Sequence, residues 1–296
     1  MLILYCSKPD PYRLKTLAKQ RLDTLLVSLD LCTSRQQAQA LIRTRKVSIN
    51  QQVVDKPGTE VDIASKIQIK ERSRYVSRGG DKLAKALEVF AIPVTDRICL
   101  DGGISTGGFT DCLLQAGAAK VYGVDVGYGQ ADWGLRNDPR VVLKERTNLR
   151  YMTATELYGD SGRADLAVVD VSFISLDKIL PALWELLTPP KEAVLLIKPQ
   201  FEVGRERVGK KGVVRDSATQ ADAIFQVWKA ATALGWEEKG LTWSPLLGPA
   251  GNIEYLLWLG IDREPEPEPR AIEEGVVKER ILEVAKAAAR ELVNRL

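Results

Sequence analysis

The sequence predicts a Rossmann-like α/β body, doubly wound around a mostly parallel sheet, with a small α+β module on its N-terminal side. Three observations lead there. Between residues 98 and 125 a short apolar strand runs into a glycine-rich turn, a helix, a second strand and an acid, which is how a doubly wound sheet opens. The later runs ADLAVVDV and AVLLIKP are apolar along their length, as parallel strands buried between helices are. Charge is also divided unevenly: residues 1–80 hold 15 Lys and Arg against 7 Asp and Glu, whereas residues 81–260 hold 20 against 23. A basic module on a near-neutral body is the electrostatic footprint of nucleic-acid binding, although a solvated basic face would give the same count. A length of 296 residues accommodates two domains.

Composition removes several classes of function. The longest apolar runs, such as AVLLI at 193–197, are too short to span a bilayer, and no charged-then-apolar leader opens the chain. Neither a membrane partner nor secretion is expected. The cysteines Cys6, Cys32, Cys99 and Cys112 show no CxxC spacing, so no metal site or disulfide frame is expected and a reducing cytoplasm fits best. The chain has no histidine. Ser-His-Asp and Cys-His machinery is therefore excluded, and a general base must be a carboxylate, a lysine, a tyrosine or a cysteine.

Residues 1–19, with Pro9 and Pro11, read as an N-terminal extension, and residues 20–70 as the basic module. Leu22, Leu25, Leu26 and Leu29 recur at helical spacing. Thr33 or Ser34 can cap a second helix with Ala38, Leu41 and Ile42 inside and Arg35, Arg43, Arg45 and Lys46 outside. Two β-like runs follow, KVSINQQVV and VDIASKIQIK. Two helices and a few strands with arginines gathered on one edge resemble the S4 RNA-binding domain. The resemblance implies RNA contacts for Arg21, Arg35, Arg43, Arg45 and Lys46, since guanidinium forks bind phosphate bidentately. The sequence departs from that pattern at Asn50, which Gln51 rather than glycine follows at the hairpin turn. Residues 71–81 read as a linker in which Arg72, Arg74 and Arg78 flank Tyr75, either as solubilising charge or as a hinge that also touches RNA. Gly79 and Gly80 break the chain before a helix over Lys82–Phe90.

The body spans residues 82–262. RICLDGGISTGGFTDCLLQAG supplies a strand (Ile98–Leu100), an acid with a glycine loop, and a helix (Thr110–Gln115). The next strand, KVYGVDVG, ends in Asp125, placed to accept ribose hydroxyls. The loop lacks the lysine of a P-loop and is not GxGxxG. An aspartate ahead of it would repel a pyrophosphate but suit an ammonium, so S-adenosylmethionine is the expected cofactor. Asp101, Gly102, Gly103, Ser105, Gly107, Gly108 and Phe109 are expected around its methionine end. A third strand (Val141–Leu143) leads into ERTNLR, which places Asn148 near the adenine.

Three further strand ends carry charge: Asp170 closes ADLAVVD, Lys198 closes AVLLIK and Glu254 opens EYLLWL. Taken singly, each is as readily a strand-end charge reaching solvent. Three beside a glycine loop point to a site, because a lysine in an apolar run is costly unless paired or used. Exocyclic-amine methylation usually shows [DN]PP[YF] where this chain has Asp-Val-Ser-Phe. Methylation at pyrimidine C5 needs a cysteine nucleophile, and Cys99 and Cys112 lie near the first strand and helix. That leaves a hydroxyl, on RNA the ribose 2′-hydroxyl, a poor nucleophile that needs a lysine of lowered pKa held by a carboxylate and a second cation.

DGGISTGGFTDCLLQ, VDVSFISL, IKPQFE and GNIEYLL, with YVSRGGDKL, resemble the TlyA (haemolysin A) family over roughly residues 20–262. This is a set of S4-plus-FtsJ-like rRNA 2′-O-methyltransferases. The resemblance implies S-adenosylmethionine-dependent methylation of cytidine 2′-hydroxyls in ribosomal RNA, 16S, 23S or both, with ribosomal subunits as partners. It also implies a Lys-Asp-Lys-Glu tetrad on Lys82, Asp170, Lys198 and Glu254. Lys198 is the expected general base, since desolvation at the end of an apolar strand lowers an ammonium's pKa. Asp170 would hold Lys198, and Glu254 would position Lys82 or the hydroxyl. Two other classes stand beside this one: an RNA-binding ribosome assembly factor with a vestigial body, and a pore-former, against which the lack of a spanning segment speaks. Residues 263–296 read as a stiff EPEPEPR linker and a final helix within Ile272–Leu296 that has Ile281, Val284, Ala285 and Ala288 on one side.

Overall fold

Alternate helical turns of leucine organise the N-terminal unit. In the computed structural model, which describes residues 19–69, 74–261 and 273–293, this unit ends at residue 73 and a second begins at Arg74. The extension up to residue 18, Arg72 and the EPEPEPR run lie outside the described residues. The elements of the first unit are β1 (Lys19–Arg21), α1 (Leu22–Ser28), α2 (Arg35–Arg43), β2 (Val47–Ile49), β3 (Gln52–Val54), β4 (Glu60–Asp62) and β5 (Ile67–Ile69). β1 pairs with β4, and β2 lies between β3 and β5, all antiparallel. Leu22, Leu25 and Leu26 meet Ala38, Ile42, Val47, Val61 and Ile67 in a closed core. Ser34 caps α2 by accepting from the Gln37 amide. The β2–β3 hairpin turns on Asn50 and Gln51, both in the left-handed region (φ 48° and 72°), so the two-residue turn survives without glycine. Asn50 supports it, its side-chain oxygen accepting from the Lys66 amide.

Two of the arginines expected at the RNA-facing edge have a second task. Asp23 is fully buried, and it accepts hydrogen bonds from Arg21 at 3.1 Å, Arg35 at 3.0 Å and Gln39 at 2.9 Å. The Arg21 guanidinium, with Gln39 and Arg35 beside it, holds the carboxyl well below the usual carboxylate range, against the opposing effect of burial. Arg21 and Arg35 remain about half exposed, while Arg43, Arg45 and Lys46 form no ion pair among the described residues.

The second unit begins with α3 (Gly79–Val89) and continues β6 (Ile98–Gly102), α4 (Gly108–Gln115), β7 (Lys120–Val124), α5 (Trp133–Arg136), β8 (Val141–Lys144), α6 (Ala154–Tyr158), β9 (Leu166–Val169), α7 (Leu180–Leu186), β10 (Glu192–Ile197), α8 (Pro199–Glu202), α9 (Ser217–Ala233), β11 (Glu237–Trp243), β12 (Tyr255–Gly260) and α10 (Glu274–Val293). Its seven strands run in the order β11-β12-β10-β9-β6-β7-β8. β6 to β10 are mutually parallel, and β12 and β11 are antiparallel additions. Every residue of β9 is buried, as a strand covered on both faces requires. One face packs on α3 and α4 through Leu83, Ala86, Phe109, Cys112 and Leu113. The other packs on α7, α9 and α10 through Leu180, Leu183, Ile224, Trp228 and Ile281. The strand order reverses between β6 and β9, and in such sheets the crevice at that switch point takes the ligand.

The final helix docks on this body. Val277, Ile281, Ala285, Ala288 and Leu292 recur every three or four residues, are buried, and pack against α9 and β11. Val284, expected on the same side, is only partly buried.

The Asp23 network gives a direct test. Asp23→Asn is expected to destabilise the N-terminal unit by about 1–3 kcal/mol at pH 7, the range for disrupting a charged, buried hydrogen-bond set. Urea unfolding of the full chain, followed by hydrogen exchange over residues 19–69, reads it. Because the native carboxyl titrates below its unfolded value, the wild-type advantage is complete above about pH 5 and fades as the pH falls below about 4. A wild-type advantage that grew on acidification would contradict the assignment.

Candidate active site

The carboxyl ends of β6, β9 and β10 open on one edge of the sheet, and antiparallel β12 brings its amino end to the same edge. Gly103, Asp170 and Lys198 each stand one residue past their strand, and Glu254 one residue before its own. All four line a cavity of about 1040 Å³, closed further by Ser77, Arg78, Gly79 and Lys82 at the start of α3. That volume is at the upper end for small-molecule sites, enough for a cofactor with part of a second molecule.

Two lysine–carboxylate pairs occupy the floor. Lys198 Nζ lies 2.6 Å from Asp170 Oδ1 and donates a hydrogen bond to Ser172 Oγ at 2.8 Å. Lys82 Nζ donates to Glu254 Oε2 at 2.5 Å. The Lys198 side chain is 10% exposed and that of Glu254 1%, so each charge sits largely out of water with its counter-charge in contact. The surrounding backbone is cut to fit. Gly103 has φ +88°, and a Cβ there would stand 2.4 Å from the Asp170 carbonyl oxygen. A Cβ on Gly248 would stand 2.6 Å from Glu254 Oε1. The first is a backbone approach that only glycine permits; at the second a side chain would force the Glu254 carboxylate to move.

The wall formed by the β6–α4 turn can hold a cofactor. Gly103, Ser105, Gly108 and Phe109 line the cavity. Asp125, one residue past β7, is not itself on the cavity lining but stands behind that wall, accepting from the Ser105 amide at 2.8 Å and the Gly127 amide at 2.6 Å, one bond to each oxygen. Each oxygen keeps a lone pair for a hydroxyl. Gln200 lines the cavity with a buried side-chain oxygen that has no hydrogen-bond partner. Glycine backbone, a hydroxyl-accepting carboxylate and an orphaned acceptor fit S-adenosylmethionine.

Other expected positions are placed differently. Asp101 does not meet the cavity: it is fully buried inside β6 and accepts from Thr110 Oγ1 at 2.7 Å. Burial pushes its carboxyl up to about 7. Its Oδ2 turns toward α4 and ties strand to helix, while its Oδ1 is buried with no hydrogen-bond partner. Gly102 and Gly107 are likewise buried in the turn rather than on the cavity. Asn148 is exposed and accepts from the Arg150 amide, starting the 3-10 turn Leu149–Tyr151 away from the cavity lining. Among the linker arginines, Arg78 lines the cavity, and Arg74 lies over the Tyr75 ring at 5.1 Å. Cys99 and Cys112 are buried free thiols, pushed up to about 12 and about 11 by burial, which leaves no reactive thiolate there.

Sequence reasoning passed over several cavity residues. Ser172 and Phe173 lie in the Asp-Val-Ser-Phe motif, which was informative only for the chemistry it excluded; Phe173 is 92% exposed, with its ring centroid 5.1 Å from that of Phe201. Arg205 and Lys211 also line the cavity and belong to GRERVGKKG, a basic run legible in the sequence. Asn252 had no signal. It is buried beside Glu254, accepts from the Val214 amide and donates to the Gly212 carbonyl, tying that basic loop to the cavity.

Known proteins agree with this architecture. The FtsJ-like methyltransferase family model matches residues 75–261, and the S4 domain model matches residues 20–67. The protein named 16S/23S rRNA (cytidine-2′-O)-methyltransferase TlyA from Mycobacterium tuberculosis is 47% identical over 260 residues, covering 87% of this chain and 96% of its own. Hemolysin A from Brachyspira hyodysenteriae is 41% identical over 236 residues, 80% of this chain and 98% of its own. A solved structure of a hemolysin-named chain from Streptococcus thermophilus superposes with a TM-score of 0.70 at 41% identity, covering 95% of this chain and 99% of that one. Among the described residues no helix is long and apolar enough to cross a membrane. An S4 unit, a doubly wound sheet and two lysine–carboxylate pairs at its switch point thus occur in one chain, which belongs to the FtsJ-like methyltransferases of the TlyA (haemolysin A) family.

Proposed function

We propose that this protein methylates the 2′-hydroxyl of cytidine in ribosomal RNA, with S-adenosylmethionine as methyl donor. The observation that carries the reading is the presence of two lysine–carboxylate pairs, Lys198–Asp170 and Lys82–Glu254, on one cavity beside a glycine loop. The names of the M. tuberculosis relative and of a Campylobacter jejuni relative, 38% identical, specify cytidine 2′-O transfer on rRNA.

S-adenosylmethionine, when bound, supplies an electrophilic methyl group on a sulfonium. The chain supplies position and a proton acceptor. Asp125 would accept the ribose hydroxyls of the cofactor, and Gly103, Ser105, Gly108 and Phe109 would wall its methionine end. Lys198, once its ammonium has lost a proton to solvent, would receive the proton of the RNA 2′-hydroxyl on the neutral amine at Nζ, while Asp170 and Ser172 fix the direction in which Nζ faces. Lys82, held by Glu254, would orient the ribose and stabilise the developing alkoxide. Holding oxygen and methyl in line supplies much of the rate, because a positioned encounter removes the entropic barrier of a bimolecular step. The N-terminal unit would provide affinity through Arg43, Arg45 and Lys46, which have no carboxylate partner among the described residues.

Lys198→Ala is expected to leave S-adenosylmethionine and RNA binding nearly intact while cutting single-turnover methylation by about 10²–10⁴, the range for a lost general base. Lys198→Arg should fail as well, since guanidinium stays protonated; methylation by that variant at near-normal rate would reduce Lys198 to a structural partner of Asp170. Asp125→Ala should weaken S-adenosylmethionine binding by about 1–3 kcal/mol in calorimetry, and unchanged affinity would remove the ribose role. Charge reversal at Arg43 or Arg45 should flatten the salt dependence of RNA binding without changing S-adenosylmethionine affinity. An unaltered salt slope would move RNA recognition off that helix.

A further inference from the structure

Beside the cavity, large aromatic side chains face solvent in number. Tyr128 is 65% exposed, Trp133 78% and Tyr151 70%. They lie on the segments that follow β7 and β8, at the edge of the sheet where those strands end. Large exposed rings on neighbouring segments, unlike singly scattered ones, are a candidate binding surface. Arginines accompany them: the Arg146 guanidinium lies 4.1 Å from the Tyr128 ring centroid, and that of Arg150 5.3 Å from Tyr151. Arg146 adopts a backbone φ of +53°, unusual for a residue with a side chain. Neither Arg146 nor Arg150 forms an ion pair among the described residues.

These loops are braced. Glu145 accepts from the Gly129 amide at 2.7 Å and from both terminal nitrogens of Arg136 at 2.6 and 3.0 Å. The Arg146 amide donates to the Gly127 carbonyl at 2.9 Å. Asp132 caps α5 through the Gly134 amide at 2.8 Å, immediately before Trp133. The bracing continues into the cavity wall. The Asp132 amide donates to the Thr106 carbonyl at 3.1 Å, and Ser105 Oγ donates to Gln130 at 3.4 Å; Ser105 and Thr106 both line the cavity. The aromatic surface therefore begins where that wall ends.

We propose that Tyr128, Trp133 and Arg146 form a stacking platform on the methyltransferase body for the RNA substrate, holding nucleotides that flank the one whose ribose enters the cavity. The inference deepens the proposed RNA methyltransferase function and rests on it. Every base has a π face, so aromatic rings and a guanidinium hold unstacked nucleotides without demanding a sequence. Exposed arginine charge suits the phosphates between those bases. A rigid loop loses little conformational freedom when a strand is laid across it, so stacking energy is retained as affinity.

The test uses the full chain, S-adenosylmethionine alone and an unmodified transcript of ribosomal RNA. Trp133→Ala is expected to weaken RNA binding by about tenfold, within the range for losing one base–aromatic stack. Trp133→Phe should restore most of that loss, and Arg146→Glu should weaken binding and lower the salt slope by about one. S-adenosylmethionine affinity, measured by calorimetry on the same preparations, should stay at the wild-type value; this also reports that each variant is folded. Wild-type RNA affinity in Trp133→Ala and Arg146→Glu would overturn the platform. A fall in S-adenosylmethionine affinity would overturn it too, by assigning the rings to the cofactor's adenine. Failure of the wild-type protein to transfer methyl to the transcript would overturn the proposed function instead, while RNA binding, read directly, would still decide the platform.

Discussion

Four charged side chains lie largely out of water at one end of an apolar sheet, and the arrangement around them follows from the need to leave none alone. A lysine or carboxylate buried without its counter-charge costs several kcal/mol, whereas a contacting pair recovers much of that. The pairs cross the fold: Lys198 and Asp170 join neighbouring parallel strands, and Lys82 and Glu254 join α3 to β12 across 172 positions of sequence. The antiparallel setting of β12 is what puts Glu254 on the edge where the parallel strands end. Glycine at 103 lets its backbone approach that of Asp170 more closely than any side chain would allow, and glycine at 248 leaves the Glu254 carboxylate its place. Under the proposed function chemistry and stability would share the same contacts, because the side chains assigned to the reaction are also charges that cannot be separated cheaply.

The N-terminal unit applies the same rule to different ends. Asp23 is buried and held by two arginines and a glutamine, which fixes α1 against α2 and orients one edge of the basic surface. Arg21 and Arg35 are thus partly committed to the fold, whereas Arg43, Arg45 and Lys46 form no ion pair among the described residues. Such charges contribute affinity of the salt-dependent, sequence-tolerant kind. Under the proposed function, choice of nucleotide would fall to the shape and polar groups of the cavity, which Phe173, Gln200 and Arg78 line.

The main lines of this structure are legible in the sequence where physical signals are local. Apolar runs that end in a charge, such as AVLLIK and ADLAVVD, fix both the strand and the edge that the charge occupies, since such a charge is tolerated only where the strand stops. The glycine loop and the acid after β7 are legible for the same reason. Long-range partnership is not. Nothing near Asp101 shows that its side chain turns under the loop to Thr110, because either side of a strand is open to a residue until its neighbours are placed. Asp23 reads as an ordinary helix-start acid, and only tertiary packing reveals the cage around it. Asn148 lies in a polar run whose exposed capping role competes with any ligand role, and local sequence does not separate the two. Ser172 and Asn252 are small polar residues whose importance arises from what the fold brings beside them.

Where the methyl group lands decides what the two lysine–carboxylate pairs do. Treating an unmodified ribosomal RNA transcript or subunit with the wild-type protein and isotopically labelled S-adenosylmethionine, followed by alkaline hydrolysis and nucleoside mass spectrometry, decides this directly. A methylated ribose has no free 2′-hydroxyl to attack the neighbouring phosphate, so that linkage survives alkali. The expected result is label recovered as 2′-O-methylcytidine within an alkali-resistant dinucleotide. Label on a base nitrogen or carbon, with every linkage cleaved, would contradict the assignment of the two lysine–carboxylate pairs to hydroxyl chemistry.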